Sequence, residues 1–440
     1  MKAESWEFQP QKVEFLEHKS KPALKILPGA GSVILKSLDF TDGAIEFDFE
    51  PLDPRFATVY FRWQNAGENE CFYLRTERAG NPTAVDAVQY APNLAGINIW
   101  DMLGHFQGNA SFQKQAWNHI KLVVSGAQMR AYVNSESQPT LAIPRLEGNV
   151  TNGRIAFEGE AIIANLVIKP NAVEGLSPLA GIDPTDNDPR YLRHWQLSQP
   201  AVIPKGIDFS YDLLPKPDAA WTPIEAERRG LINLTRKFGK SESRRIVWLK
   251  TTIKSASTQT RKLAFGFSDD VWALINGKLL YVDKNWYLHP IRKEPDGRCS
   301  IENTTINLPL NAGDNELLIG VANDFYGWGI VARIDSLAGI TVEPDRINLL
   351  RGQRADTVRL LFDQAHGEQP PPGPMDAITK KLGLEIQTSA QPINAESLKG
   401  IRILYLRAPS KEFTAAETEA IVAYVKGGGS LLLRVQPRYV

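Results

Sequence analysis

From Leu38 to about Pro170 the sequence alternates apolar and polar residues in short runs, each cut off by a cluster rich in Gly, Pro, Asn or Ser. AIEFDFE, TVYFRWQ, CFYLRTE, HIKLVVSG, MRAYVN and RIAFEGE are the runs; AGENE, RAGNPT, NSESQP and EGNVTNG lie between them. A period of two sends successive side chains to opposite faces, which is the mark of a strand with one face on a core. Many such strands at close spacing predict a β-sandwich. The same period assigns faces. Val59, Phe61 and Trp63 point to the core with Tyr60 and Arg62 opposite. Phe72 and Leu74 point inward with Tyr73 and Arg75 away, and Val88 and Tyr90 lie opposite Gln89.

The pattern then changes twice. EGLSPLAGIDPTDNDPR has no period and reads as a linker near residue 180. From Tyr191 to Pro344 strands return in IVWLKTTIKS, LAFGFSDDVWALINGKLLY, TTINLPLNAGDNELLIGVAND and GWGIVARIDS. Asn276-Gly277 supplies the two positive-φ positions of a type I′ hairpin. Beyond residue 355, TVRLLFDQAH, LEIQTSA, IRILYLRAP and SLLLRV read as strands, PMDAITKKLG and TAAETEAIVAYVKGGG as helices with glycine stops, and PPPG as a stiff loop. Strand-helix alternation predicts a parallel sheet. The expected fold is therefore mainly β: two antiparallel jelly-roll β-sandwiches in tandem, residues 1–178 and 190–344, plus a small C-terminal α/β parallel-sheet domain, residues 355–440. A chain of 440 residues is long enough for several such units.

Three resemblances attach to these segments. DFTDGAIEFDFE, YFRW, ECFYLR, DAVQYAP, WNHIKLVVSGAQMRAYVN, PRLEGNVTNGRIAFEG and ANLVI resemble a concanavalin A-like lectin/glucanase jelly roll, nearest the laminin-G-like and 3-keto-disaccharide hydrolase-like sandwiches of bacteria. The second segment resembles the galactose-binding-like jelly roll, through Ser268-Asp269-Asp270 before Asn276-Gly277, the strand from Leu310 to Asn323, and Gly327-Trp328-Gly329. The third is similar to part of the flavodoxin-like sheet of class I glutamine amidotransferases. That family's nucleophile is a cysteine, and none follows Cys299, so its chemistry is not carried over.

Charge excludes some functions. Lys+Arg 50 balances Asp+Glu 50, so no long-range field favours nucleic acid or an anionic membrane. No window approaches the ~20 apolar residues of a membrane span. MKAESWEFQPQKVEF lacks the apolar run of a signal peptide. The compartment is cytoplasmic if Met1 is the native start, and periplasmic or secreted if a leader was trimmed. Cys71 and Cys299 fit no metal or redox spacing and are expected as free thiols.

The paired carboxylates Asp269 and Asp270 admit three readings. A catalytic acid/base pair must flank one bond, whereas strand neighbours project to opposite sides. A calcium site would draw on both, with Asn323 and Asp324 completing it, and the resemblance to lectin domains of the anthrax protective antigen type implies the same ion. In the third, Asp269 bonds turn amides and Asp270 opens the strand. In the first sandwich Arg62, Tyr73, Arg75 and Gln89 would line the outer sheet face, with Trp100 and Asp101 on a loop able to close over it. In the second, Trp272, Trp286, Tyr287, Tyr326 and Trp328 are candidates for stacking on sugars, Trp328 foremost as the ring expected to be exposed. Glu46, Asp48 and Glu50 alternate on one strand and are the acids a hydrolase would need. His105 and His119 stand alone, and Asp363 and His366 form an Asp-x-x-His pair after a strand end.

The expected function is carbohydrate recognition in a multimodular protein, without catalysis of its own and without a cofactor unless calcium binds at Asp269, Asp270 and Asn323. The sugar is contacted by Arg62, Tyr73, Arg75, Gln89, Trp100, Asp101 and Trp328. The alternative is a glycoside hydrolase or lyase with its site in the first sandwich, where Glu46 or Asp48 supplies acid/base chemistry. A scaffold for protein partners is a third reading. Val358, Leu360, Ile403, Leu404, Leu431 and Leu433 are too apolar for a small segment to cover, which predicts packing on a sandwich or a homo-oligomer contact there.

Overall fold

The structure is a computed structural model that describes residues 1–440 except 53–54, 136, 205, 209, 344–357, 369–383, 427–428 and 435–440. The expected helix PMDAITKKLG, the PPPG loop and Gly427-Gly428 lie outside the described residues.

Two antiparallel sheets face each other in the first sandwich. One runs in the order Leu141–Ile143, Gln128–Val133, Asn118–Ser125, Gly43–Pro51, Ala161–Pro170, Lys21–Ile26, Val13–His18. The other runs Trp6–Glu7, Val33–Leu35, Arg154–Glu158, Phe56–Asn65, Glu68–Arg75, Val88–Tyr90, Gln107–Gly108. Between them Ile45, Phe47, Phe49, Phe61, Phe72, Ile120, Leu122 and Phe157 make one buried cluster, as the period of two requires. Fully burying side chains of this size contributes ~1.5–3 kcal/mol each before chain entropy is counted.

The alternation fails at one place. Arg62 has φ +51, and pairing with both neighbouring strands shifts register there. A bulge inserts one residue, so the expected partition reverses beyond it. Trp63 turns from the core to sit beside Tyr60, with ring centroids 5.0 Å apart. Arg62 is buried, donating to Asp42 Oδ1 at 2.9 Å and to the carbonyls of Thr41 and Gly126 at 3.0 and 2.9 Å. It holds the bulge and faces no groove.

The second sandwich packs a larger sheet, with Arg245–Ser255, Gly313–Ala322 and Asp270–Ile275 at its centre, on a smaller one. The smaller is ordered Leu231–Asn233, Gly329–Ile334, Gln259–Ser268, Thr304–Leu310. Asn276 and Gly277 both take positive φ at the tip of the hairpin, as the Asn-Gly pair demands. Trp272 and Trp328 are fully buried.

The C-terminal sheet is parallel throughout, in the order Leu384–Ser389, Val358–Asp363, Ile403–Arg407, Ser430–Arg434, with the helix Ala415–Lys426 before the last strand. Leu404 and Leu360 are buried, whereas Leu431, Leu432 and Leu433 on the edge strand are exposed. No described helix is long and apolar enough to cross a membrane.

Removing Arg62 takes the cation from the Asp42 carboxylate, which retains the Gly126 amide, and a donor from two carbonyls. Arg62→Met is expected to destabilise the protein by roughly 3 kcal/mol, the lower end for breaking a buried ion pair, because Asp42 is only partly covered. Urea unfolding compared with wild type measures it.

Candidate functional site

The two sandwiches are joined by a buried polar seam. Asp101 lies on a loop of the first; its Oδ2 accepts from Ser268 Oγ at 2.9 Å and its Oδ1 from Gly327 N at 3.1 Å. Ser268 Oγ is also 3.0 Å from Asp269 Oδ1, while Asp269 Oδ2 accepts from Asp324 N and Phe325 N at 2.5 and 2.6 Å. Asp101 O accepts from Cys299 N, and Arg236 of the second sandwich donates to Glu147 O and Asn149 Oδ1 of the first. Asp269 thus bonds loop amides, as the turn reading holds.

Asp270, the first residue of the next strand, has different partners. It accepts from Trp286 Nε1 at 2.7 Å and pairs with Arg244 and, at 3.7 Å, with Lys284. Asn323 Oδ1 accepts from Arg245 N. The geometry therefore does not gather the carboxamide and the two carboxylates proposed for calcium around one centre, and Asp270 already faces cations.

Above this seam a cleft of about 500 Å³ opens on the outer sheet face of the first sandwich. Its floor comes from strands Phe56–Asn65 and Glu68–Arg75, whose register sets Thr58 opposite Tyr73 and Tyr60 opposite Cys71. Arg55, Phe56, Arg75 and Asn98 also line it, and Glu158 and Glu160 come from the neighbouring turn. The far wall belongs to the second sandwich: Tyr287, Phe325 and Tyr326. The ring of Trp100 is 4.6 Å from that of Tyr287 and 5.9 Å from that of Tyr326, both edge-on. Tyr287 and Phe325 lie nearly parallel, 11° apart. Phe56, Phe325 and Tyr326 are 49%, 44% and 46% exposed. These open rings are the surfaces a ligand meets.

The structure places the expected binding residues in different roles. Tyr73, Arg75 and Trp100 line the cleft, although each is largely buried. Gln89 lies beneath: its Oε1 accepts from Tyr73 OH at 2.8 Å and Arg75 Nη2 at 2.7 Å, and its Nε2 donates to Trp100 O at 2.7 Å. It positions the loop. Asp101 belongs to the seam. Arg62 and Trp328 are elsewhere; Trp328, expected to be exposed, is 1% exposed and donates to Val321 O in the second core. Of the other rings, Trp272 is core and Trp286 holds Asp270, whereas Tyr287 and Tyr326 reach the cleft. Sequence reasoning missed Phe325, Tyr60 and Glu158. The adjacent Phe325-Tyr326 in a loop was the available sign, since paired apolar rings between a strand and a glycine seldom serve a core. Glu158 accepts from Ser32 Oγ at 2.8 Å and Tyr60 OH at 3.2 Å.

Glu46, Asp48 and Glu50 lie on strand Gly43–Pro51 of the opposite sheet, across the core from the cleft. Lys169 pairs with Glu46; Lys21, His119 and Asn165 hold Asp48; His18 and Lys19 hold Glu50. Asp48 is held below the usual carboxylate range because these partners outweigh its partial burial. They do not share a site with Tyr73 and Arg75. His105 lies at the rim of a second cavity, not among metal ligands.

No family model matches the sequence, and no curated protein does. Among solved structures the chain is similar to the carbohydrate-binding module CBM66 from Bacillus subtilis (13% identity, 38% of this chain and 95% of that one, TM-score 0.28). It is also similar to the Bacillus licheniformis beta-glucanase (10%, 38% and 82%, 0.26) and to the Caenorhabditis elegans galectin LEC-6 (12%, 38% and 99%, 0.23). At such scores these likenesses bear on no residue or ligand of this chain.

Burial pushes Asp101 up to about 6, and burial with the Asp101 charge pushes Asp269 up to about 8, from an ordinary 3.8. The folded protein then keeps protons that the unfolded chain has released. The stability these groups contribute is complete below about pH 4 and is lost as pH rises through 6 and 8. Calorimetric melting temperatures are expected to fall across that window. Asp269→Asn keeps an acceptor for the Asp324 and Phe325 amides and a donor for Ser268 Oγ, so it is expected to flatten the fall.

Proposed function

We propose that this chain binds carbohydrate in the cleft between the two sandwiches and performs no catalysis of its own there. One observation carries the reading: open aromatic rings from both sandwiches converge on a cleft that also holds the polar side chains of Thr58, Asn98, Arg75, Glu158 and Glu160. Rings present flat apolar faces to the C–H faces of a sugar, and their rigidity limits the entropy lost on binding. Thr58, Asn98, Arg75 and Glu158 offer donors and acceptors to hydroxyls on the opposite side. A volume of about 500 Å³ lies inside the ~300–1,000 Å³ usual for small-molecule sites. That suits a short oligosaccharide or the accessible stretch of a polysaccharide.

The non-catalytic part of the reading is supported by the acids. Glu46 and Asp48, the acids of the hydrolase alternative, are each paired with a lysine on the opposite sheet, and His119 is hydrogen-bonded to Asp48. Two carboxylates, Glu158 and Glu160, line the cleft, and Glu158 already accepts from Tyr60 and Ser32. A hydrolase built here would draw its acid from Glu158 or Glu160, and reducing-sugar release lost in Glu158→Gln or Glu160→Gln would reassign the chain to that class.

Calorimetry with β-glucan, galactoside and uronic-acid oligosaccharides tests the binding. At least one series is expected to bind. Phe325→Ala and Tyr326→Ala, both at exposed rings, should each weaken it roughly tenfold, about 1.4 kcal/mol. A folded wild-type protein that binds none of the three series overturns the proposal.

A further inference from the structure

The C-terminal sheet carries a cluster that the cleft does not use. Strand Val358–Asp363 ends at a fully buried aspartate, at the carboxyl end of a parallel sheet, where open α/β sheets hold ligands. The chain turns at once and brings His366 and Glu368 back to it. Donor atoms of Asp363, His366 and Glu368 all lie within 4.8 Å of one another, and all three residues are buried. His366 Nδ1 is 2.6 Å from Asp363 Oδ2. Behind the ring, His366 Nε2 is 3.2 Å from Glu417 Oε1. The Glu417 carboxylate is anchored in turn by Thr414 N, Thr414 Oγ1 and Ile393 N, and Phe413 stacks on the imidazole with centroids 4.0 Å apart.

Two features of this cluster bear on what it could hold. The first is charge. Three buried carboxylates surround one imidazole, and among the described residues no lysine or arginine pairs with them. The three carboxylates share a single imidazole as partner for any charge they carry, and buried charge without a counter-charge is strongly unfavourable. The second is an unpartnered atom. Glu368 is 6% exposed; its Oε2 accepts from His366 N at 3.1 Å, but its Oε1 is buried without a hydrogen-bond partner.

We propose that Asp363, His366 and Glu368 form a divalent-cation site, with Glu417 fixing the imidazole from behind. A proton on Nε2 donated to Glu417 leaves the Nδ1 lone pair facing the two carboxylates, the carboxylate–histidine–metal arrangement that orients ligands in metalloproteins. Where Nδ1 and Asp363 Oδ2, 2.6 Å apart, share a proton, the ion takes its place and that proton leaves to solvent. Two carboxylate oxygens and one imidazole nitrogen suit zinc, manganese or ferrous iron, and three protein ligands leave further positions open. The proposal is independent of the carbohydrate reading.

The test uses the full chain, stripped with EDTA and dialysed, then titrated calorimetrically with Zn²⁺ and with Mn²⁺; Co²⁺ serves as a spectroscopic probe. One ion per chain is expected, with about one proton released per ion at neutral pH in buffers of different ionisation enthalpy, and weaker binding as pH falls. Asp363→Asn and Glu368→Gln should each weaken binding at least tenfold. Glu417→Gln should weaken it ~10–100-fold, the usual loss when a partner behind a ligand is removed. His119→Ala, on the first sandwich, should change nothing. Failure of the stripped, natively folded wild type to bind any of the three ions stoichiometrically overturns the proposal whether or not the variants fold. So does binding that Glu368→Gln leaves intact. A melting temperature raised by Glu368→Gln and unmoved by ions would instead show two carboxylates sharing a proton, which also overturns it.

Discussion

Two buried aspartates and one serine hydroxyl hold the seam between the sandwiches, and the cleft is a consequence of that seam. Asp269 takes the amides of Asp324 and Phe325, and Asp101 takes that of Gly327. The loop that carries Phe325 and Tyr326 is therefore tied at both ends, from two different sandwiches. Tyr326 sits between the ties at φ +59, a conformation that a bulky residue adopts only when its surroundings impose it. Hydrogen bonds to backbone amides are directional, so they set the ring positions more closely than apolar packing would.

Much of the fold was legible because a sandwich repeats one rule. Wherever the period of two held, as at Ile45, Phe47, Phe49, Phe72 and Leu74, the core residues were those the alternation names. It failed where one residue was inserted. Nothing local to FRW marks the bulge at Arg62, whose ion pair with Asp42 lies twenty residues upstream and whose other partner, Gly126 O, lies further downstream. The Asp269–Asp270 pair was legible in part: Asp269 bonding turn amides and Asp270 opening a strand follow from the local residues, but the attachment of Asp269 to Asp101 through Ser268 reaches across 167 residues.

The GWG motif shows why the site was harder to read than the fold. Glycines on both sides of Trp328 suggested a loop that displays its ring. A Cβ at Gly327 would lie 2.4 Å from Asp101 Oδ1, and one at Gly329 would lie 2.7 Å from the sulfur of Met102 and 2.8 Å from Ile232 O. The glycines are there because the first sandwich presses against them, while the tryptophan between them turns into the core of the second. Close approach and display leave the same mark in a sequence, and only the partner surface separates them.

That shared wall has a thermodynamic meaning. With Tyr60 and Trp100 supplied by one sandwich and Tyr287, Phe325 and Tyr326 by the other, neither unit alone possesses the cleft. A molecule held there bridges the two and must stabilise their docked arrangement by the amount that docking improves its own affinity, since the coupling is reciprocal. Occupancy of the cleft and cohesion of the pair are then one equilibrium seen from two sides.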